Sequence, residues 1–151
     1  MTGTIIIPVE RGKVKVLTKN TDYAVRALLE LAFAQGELLS AKEIADKQKI
    51  PYEFLRKILS RLIKEKIVVS REGGSGGFQL RLKPSQIKLS DLIQIFQGEV
   101  QISECLFRDK ICPNRKNCVL RQNILQVERK VVEEFNAITI ESLMEQMKGK
   151  R

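Results

Sequence analysis

The sequence has no histidine and no tryptophan, and its 151 residues include only two tyrosines and six phenylalanines. Without histidine there are no Ser-His or Cys-His nucleophile pairs, no histidine acid–base catalysis and no zinc site with an imidazole ligand. The scarcity of aromatic residues favours a core of small aliphatic side chains packed between helices. We therefore expect a mainly helical protein that is not an enzyme.

Long apolar runs are also missing. No stretch approaches the roughly 18–20 apolar residues that a membrane-spanning helix needs. The N-terminus lacks the charged region, apolar core and cleavage site of a signal peptide. Three cysteines are an odd number in a chain without a secretion signal, which argues against a disulfide scaffold. These absences predict a cytoplasmic protein that does not act at a membrane.

Positive charge exceeds negative charge by a wide margin. Lys and Arg number 27 against 18 Asp and Glu, so the net charge is +9 and the pI is near 9.6. From Arg56 to Lys88 nine basic residues stand against Glu65 and Glu72, a net of +7 in that stretch. Such an excess attracts polyanions, so nucleic acid or an anionic membrane surface is the expected partner.

Apolar residues recur at helical spacing over residues 21–35, the first predicted helix. Thr21 is the predicted N-cap, Asp22 lies in the first turn where the helix dipole favours a carboxylate, and Gly36 marks the end. Ahead of this helix, residues 1–13 show no helical periodicity and are predicted to be a weakly ordered N-terminal extension.

A second helix and a third follow closely. Ser40 and Glu43 fit a capping box for the second, and Pro51 suits the first position of the third, which we expect to run to about Lys66. The predicted buried face of the third helix comprises Phe54, Leu55, Ile58, Leu59, Leu62 and Ile63. Its opposite face carries Tyr52, Glu53, Arg56, Lys57, Ser60, Arg61 and Lys64. This succession predicts a helix-turn-helix.

Two short strands, residues 68–71 and 78–82, flank the glycine-rich residues 72–77 and predict a β-hairpin. A hairpin directly after a recognition helix is a wing, and glycine lets backbone N–H groups approach a phosphate. A basic helix face alone is usually only a solvated face, and a glycine loop alone is weak support. Together, in this order and with this charge, they predict binding to double-stranded DNA.

The C-terminal part begins with a short helix over residues 91–97, with Ser90 as the predicted cap and Gly98 at the end. A later helix of about seventeen residues carries one apolar stripe. The stripe comprises Leu120, Ile124, Val127, Val131 and Phe135. It either packs within its own subunit or forms a two-fold interface, and we favour the homodimer, which matches symmetric operators. Thr139 is predicted to cap a last helix that runs through Met147 and buries Ile140, Leu143, Met144 and Met147.

All three cysteines, Cys105, Cys112 and Cys118, lie within fourteen residues in a C-x6-C-x5-C pattern. Three thiolates suit zinc or an iron–sulfur cluster, although zinc loops more often contain a C-x2–4-C pair. The other interpretation is three free thiols, but the segment is too polar for buried core cysteines. The pattern favours a metal centre.

With these features the sequence resembles the Rrf family of winged-helix regulators, whose branches include IscR, NsrR and CymR. The resemblance covers residues 14–147 and rests on VKVLTKNTDYAVRALLELA, on REGGSGGF and on the three-cysteine segment. It implies a winged helix-turn-helix over residues 14–98, a cluster-binding loop over 99–118, and a homodimer formed by the long helix in 119–151. Relatives usually begin near Val14, so either translation starts at Val14 or residues 1–13 are an unusual extension.

The resemblance implies that the three cysteines ligate a [4Fe-4S] or [2Fe-2S] cluster. IscR-like members add a histidine three residues after the last cysteine, but that position is Arg121 here. NsrR-like members use an aspartate in a T-K-x-T-D context, donated by the other subunit, and this chain has Asp22 in that context. Asp22 is therefore the candidate fourth ligand. The other interpretation is an ordinary first-turn carboxylate.

The resemblance also implies DNA contacts. It places Tyr52, Glu53, Arg56 and Lys57 at base edges, where Arg56 suits guanine and Glu53 suits cytosine. Arg61, Lys64 and Arg71 are expected at phosphates, and Ser75 and Gly76 in the wing loop. The usual wing arginine falls on Glu72, with Arg71 one place earlier, which puts minor-groove insertion by the wing in question.

The sequence thus predicts a repressor whose DNA affinity is controlled by an iron–sulfur cluster that senses nitric oxide, redox state or iron–sulfur status. One alternative is a CymR-like regulator without a cluster, controlled by a partner protein or by thiol oxidation. Another is a zinc-stabilised basic module that binds nucleic acid. An enzyme with a cysteine nucleophile is disfavoured because no histidine is available to activate it.

Overall fold

The computed structural model describes residues 16–102 and 116–150. Within those residues it contains six α-helices, one two-stranded antiparallel sheet and a short 3-10 turn at Pro84–Gln86, so the predicted mainly α fold with a β-hairpin is confirmed. The elements are α1 (Lys19–Phe33), α2 (Ala41–Gln48), α3 (Tyr52–Lys64), β1 (Val68–Arg71), β2 (Gly77–Leu80), α4 (Leu89–Gln97), α5 (Val119–Ala137) and α6 (Ile140–Lys148). None of the described helices is long and apolar enough to cross a membrane.

The first helix begins two residues earlier than predicted. Its N-cap is Thr18, whose hydroxyl accepts a hydrogen bond from the Thr21 amide at 3.4 Å. Thr21 itself lies inside the helix and is fully buried, so its prediction as the cap was wrong. Asp22 does lie in the first turn, and the helix ends at Phe33, short of Gly36.

Helix α1 lies at the centre of the core. Ala24, Ala27 and Leu28 have no exposed surface, and the helix packs against α3, α4, α6 and strand β2. Alanine at two of these positions allows neighbouring helices to approach closely. Helix α6 packs onto α1 from the other end of the chain, and it buries Ile140 and Met144 in the same core.

The helix-turn-helix is formed by α2 and α3. The predicted capping box is present, because the Glu43 carboxylate accepts from the Ser40 amide at 2.7 Å and the Ser40 hydroxyl accepts from the Glu43 amide at 3.2 Å. These bonds from Ser40 hold the pKa of the Glu43 carboxyl below its usual value. The contribution to stability is therefore complete above the ordinary glutamate pKa, and it is lost as the pH falls through the lowered one.

Helix α3 differs from its prediction at both ends and at Phe54. Pro51 is the N-cap rather than the first helical residue, and the helix ends at Lys64. Leu55, Ile58, Leu59 and Leu62 are buried and Ile63 is half-buried, but Phe54 is 53% exposed. The prediction for Phe54 was wrong because its position, one step before Leu55, lies at the edge of the buried stripe.

The wing is a hairpin that pairs Val68 with Leu80 and Arg71 with Gly77. A third segment joins it: the amide of Leu39 donates to the Phe78 carbonyl at 3.0 Å, and the Phe78 amide donates back at 2.8 Å. This pairing ties the wing to the start of the helix-turn-helix. It was not predicted from the sequence.

Gly77 is required for that pairing, which leads to a testable prediction. A Cβ at this position would lie 2.7 Å from the Leu39 carbonyl oxygen, which belongs to the backbone and cannot move aside cheaply. We expect Gly77→Ala to lower the free energy of unfolding by about 2 kcal/mol. Gly74→Ala is the matched control, because its Cβ would meet nothing within 4 Å. Urea denaturation of both variants measures the difference, and equal stabilities would contradict the prediction.

The short helix α4 begins at Leu89, with Lys88 as its N-cap. Ser90 is not the cap, because its hydroxyl instead donates to Oδ1 of Asn136 at 2.5 Å. Gly98 ends the helix as predicted, with φ +83°. The Ser90–Asn136 bond joins α4 to the end of α5.

Helix α5 spans 19 residues and packs mainly against α4. The predicted apolar stripe is only partly covered by its own chain: Leu120 is 72% exposed and Val127 is 47% exposed, as is the neighbouring Val119 at 67%, whereas Ile124, Val131 and Phe135 are half-buried. Helix α6 begins at Thr139, whose hydroxyl accepts from the Ser142 amide at 3.1 Å, as the predicted cap requires.

Candidate DNA-binding face and metal centre

The exposed side of α3 carries the predicted base-reading residues. Tyr52, Glu53, Arg56 and Lys57 are all exposed in its first two turns. The Arg56 guanidinium carbon lies 5.9 Å from the centroid of the Tyr52 ring, a cation–π contact that orders the guanidinium. Further along the helix Arg61 pairs with Glu65 at 3.1 Å, and Lys64 is exposed near the last turn.

A groove of about 570 Å³ separates α3 from the wing. Lys42, Tyr52, Arg56 and Arg71 line it, so the structure brings the predicted helix and wing residues to one surface. Glu72 lies on the same groove and introduces a negative charge beside Arg71. Four basic or hydrogen-bonding side chains on one concave face can contact DNA phosphates and base edges together.

Of the other predicted residues, Gly76 also lines the wing groove, whereas Glu53, Lys57 and Ser75 do not. Glu53 and Lys57 border a neighbouring concavity that shares Arg56 and Ser60 with the wing groove. Ser75 is exposed at the tip of the wing. The Gly76 amide donates to the Gly73 carbonyl at 3.0 Å and so serves the turn itself.

Of the three predicted cysteine ligands the structure describes one, since Cys105 and Cys112 lie outside the described residues. Cys118 is half-buried and is the N-cap of α5, where its Sγ accepts from the Arg121 amide at 3.4 Å. A helix N-terminus favours a negatively charged ligand atom. The position of Cys118 therefore fits a thiolate that binds a metal.

Asp22, the candidate fourth ligand, projects from the first turn of α1 with 48% of its side chain exposed. Its Oδ2 lies 2.9 Å from the Arg26 guanidinium. No three His, Cys, Asp or Glu side chains converge as a metal site among residues 16–102 and 116–150. A cluster that included Asp22 would have to form with residues outside those ranges or with another subunit.

Two polar residues that the sequence did not single out join segments that are distant in the chain. Gln97 at the end of α4 is hydrogen-bonded to the start of α1. Glu128 in the middle of α5 is buried and bonds the backbone of Ile102. For Glu128 one signal was available, since it follows the stripe residue Ile124 by four positions and so lies beside an apolar face. For Gln97 no local signal existed.

A helix-turn-helix followed by a wing with a basic groove defines a winged-helix DNA-binding protein. Residues 17–146 match the family model of Rrf2, described as "Iron-dependent Transcriptional regulator", and the chain belongs to this family. It is accordingly a transcriptional regulator that binds DNA, and not an enzyme.

Three known proteins illustrate the relationship. The chain is 34% identical over 133 residues to the "HTH-type transcriptional regulator NsrR" of Oceanobacillus iheyensis, covering 85% of this chain and 88% of the relative. It is similar in fold to the IscR structure from T. potens, with a TM-score of 0.68, 23% identity and 87% coverage of both chains. It is also similar to CymR of B. subtilis, with a TM-score of 0.70, 24% identity and coverage of 89% and 98%. Both structural likenesses concern the fold.

Proposed function

We propose that the protein is a homodimeric repressor whose affinity for a two-fold symmetric DNA operator is set by an iron–sulfur cluster. The observation that carries the DNA part is the groove that joins Arg56 on α3 to Arg71 on the wing. Base edges are read from the first turns of α3, and Lys64 and Arg71 contact phosphates.

In this proposal Cys105, Cys112 and Cys118 hold the cluster, and Asp22 of the other subunit supplies the fourth ligand. The cluster would supply a redox- and nitric-oxide-sensitive iron centre, of the [4Fe-4S] or [2Fe-2S] type. Support comes from the three soft ligands within fourteen residues, from the iron-dependent description of the family and from the fit of Cys118. The chain's own residues would then connect that centre to the DNA-binding helices.

The homodimer rests on the exposed apolar stripe of α5. A row of large apolar side chains on a surface helix marks an interaction site, and a second copy would place two α3 helices on the two halves of a symmetric operator. In such a dimer, Asp22 of one protomer would ligate the cluster that the cysteines of the other protomer hold.

A second candidate function is a cluster-free regulator that responds to a partner protein or to thiol oxidation. The ion pair between Asp22 and Arg26 favours it, because a carboxylate with an intrachain partner needs no metal. Anaerobic purification with iron and sulfide assays distinguishes the two. Brown protein with stoichiometric iron and sulfide supports the cluster, colourless protein without metal supports the second candidate, and bound zinc indicates the zinc-stabilised module.

The DNA-binding proposal predicts different effects for base-reading and phosphate-binding residues. We expect Arg56→Ala to weaken operator binding roughly 5- to 150-fold and to relax specificity at one base pair in each half-site. Lys64→Ala should weaken binding evenly across sequences and lower the salt dependence by about one ion. Fluorescence anisotropy with operator variants measures both effects, and footprinting locates the symmetric site.

Arg129→Ala is the control for these variants, because Arg129 is an exposed arginine on α5, away from α3 and the wing. It removes the same charge and should leave specificity as in the wild type. An Arg56→Ala protein with unchanged specificity would contradict the assignment of α3 as the reading helix.

A further inference from the structure

Gln97, the last residue of α4, holds the start of α1 through both ends of its side-chain amide. Its Oε1 accepts from the Thr18 amide at 3.0 Å and from the Thr21 hydroxyl at 2.8 Å, and its Nε2 donates to the Val16 carbonyl at 2.7 Å. Thr21 is fully buried, where an unpaired hydroxyl is costly. Because the amide acts as donor and acceptor at once, neither a carboxylate nor an apolar side chain can make all three bonds.

Five residues later the chain is attached to a different helix. The Ile102 amide donates to the Glu128 Oε1 at 2.9 Å, and Glu128 is only 8% exposed. It is the one buried residue of α5, whose apolar stripe is exposed at Leu120 and Val127. Buried carboxylates are retained where hydrogen bonds satisfy them, so Glu128 fixes the position of Ile102 on α5.

Residues 98–102, named the strap here, join these two attachments without forming a helix or strand. The strap leaves α4 at Gly98 with φ +83° and ψ −157°, a conformation that side-chain-bearing residues rarely adopt. From residue 97 to residue 102 the chain spans at most about 18 Å. A link of this length, hydrogen-bonded at both ends, limits how far the two attachments can move apart.

Residues proposed as cluster ligands lie close in sequence to both attachments. Thr21 immediately precedes Asp22, and Ile102 stands three residues before Cys105. At the other end of the cysteine segment, Cys118 caps α5, the helix that carries Glu128. Helix α1 in turn packs against the recognition helix α3. One route of contacts thus runs from α5 through the strap to α1 and α3.

We propose that Gln97 and Glu128 are positioning residues that couple α5, the helix capped by Cys118, to the first turn of α1 within one protomer. The regulatory meaning of this coupling rests on the proposed function. The mechanical link is a property of the chain without a cluster. Loss of the hydrogen bonds at one end of the strap should therefore speed amide hydrogen exchange at the other end.

Hydrogen exchange of the full-length, cluster-free protein tests the link. Glu128→Ala should speed exchange at amides 16–22, on the far side of the strap, several-fold relative to the wild type. Glu128→Gln keeps the acceptor for Ile102 and should restore wild-type exchange, and Glu133→Ala removes an exposed carboxylate of the same helix as the control. Unchanged exchange at amides 16–22 in Glu128→Ala would overturn the proposal.

A second variant perturbs the α1 end of the strap, so that the link can still be tested if Glu128→Ala does not fold. Thr21→Val removes the hydroxyl that donates to Gln97 and keeps the side-chain shape. It should speed exchange at residues 99–102, on the α5 side. If both variants disturb only their own end of the strap, the two attachments are independent and the proposal fails.

A third measurement separates this proposal from the function on which it rests. Operator affinity is measured with and without the cluster, and the ratio of the higher to the lower affinity is compared among three proteins. These are the wild type, Gln97→Met and the control Gln94→Met, which replaces an exposed glutamine of the same helix. Coupling free energies typical of allostery correspond to about 5- to 150-fold, and Gln97→Met should reduce the ratio at least about fivefold with the cluster content unchanged. A ratio of one in the wild type overturns the proposed function. A wild-type ratio above one that Gln97→Met leaves unchanged overturns the coupling.

Discussion

Leu120→Asp should convert the dimer into monomers and lower operator affinity by roughly 100-fold or more. Leu120 is the most exposed large apolar side chain of α5, and Val119 and Val127 extend the same exposed surface. Burying a leucine contributes about 1.5–3 kcal/mol, and a symmetric interface contains each side chain twice. An aspartate at the same place adds the cost of burying two charges. A monomer would then bind one half-site and lose the contribution of the other.

Light scattering after size-exclusion chromatography measures the oligomeric state, and fluorescence anisotropy measures operator affinity. Gln126→Asp is the matched control, because it places the same charge on an exposed position of α5 away from the stripe. That variant should remain a dimer. Circular dichroism checks that α5 stays helical in both variants. Dimeric Leu120→Asp protein with wild-type operator affinity would refute α5 as the interface.

Several features whose hydrogen bonds are local could be predicted from the sequence. The capping box at Ser40 and the cap at Thr139 join residues three apart, so their side chains alone were sufficient. The apolar stripe of α5 could likewise be recognised from its period. Thr21 and Ser90 were assigned wrongly as caps because their hydroxyls bond residues 76 and 46 positions away. Such partners are determined by tertiary packing, which overrides local preference.

The same distinction holds for the candidate site. Net charge and the polar side of α3 are properties of the sequence, and they led to the prediction of a DNA-binding face, as the cysteine spacing led to that of a metal centre. The pairing of Leu39 with Phe78 and the bonds made by Gln97 and Glu128 join distant segments and left no local pattern. The assignment of Cys105 and Cys112 stays a prediction, since both lie outside the described residues.

Asp22→Ala should change the absorbance spectrum of the cluster and raise its rate of loss in air at least about tenfold. An effect of this size is expected when a metal site loses a supporting group. The competing interpretation is that Asp22 only pairs with Arg26, 2.9 Å away on the next turn. That pair is about half exposed and contributes roughly 0–1 kcal/mol. The thermal stability of cluster-free Asp22→Ala should therefore be close to that of the wild type, which excludes unfolding as the cause of cluster loss.

Arg26→Ala distinguishes the two roles of Asp22, because it breaks the same ion pair and leaves the carboxylate in place. If Asp22 ligates iron, Arg26→Ala keeps the wild-type absorbance and air stability, whereas Asp22→Ala loses both. If the ion pair alone matters, the two variants behave alike. Mixed dimers of Asp22→Ala and Cys118→Ser chains then show which subunit donates the carboxylate. Each such dimer contains one intact site if the ligands come from different subunits, because the two substitutions fall in the same site. If the four ligands come from one chain, both sites are damaged.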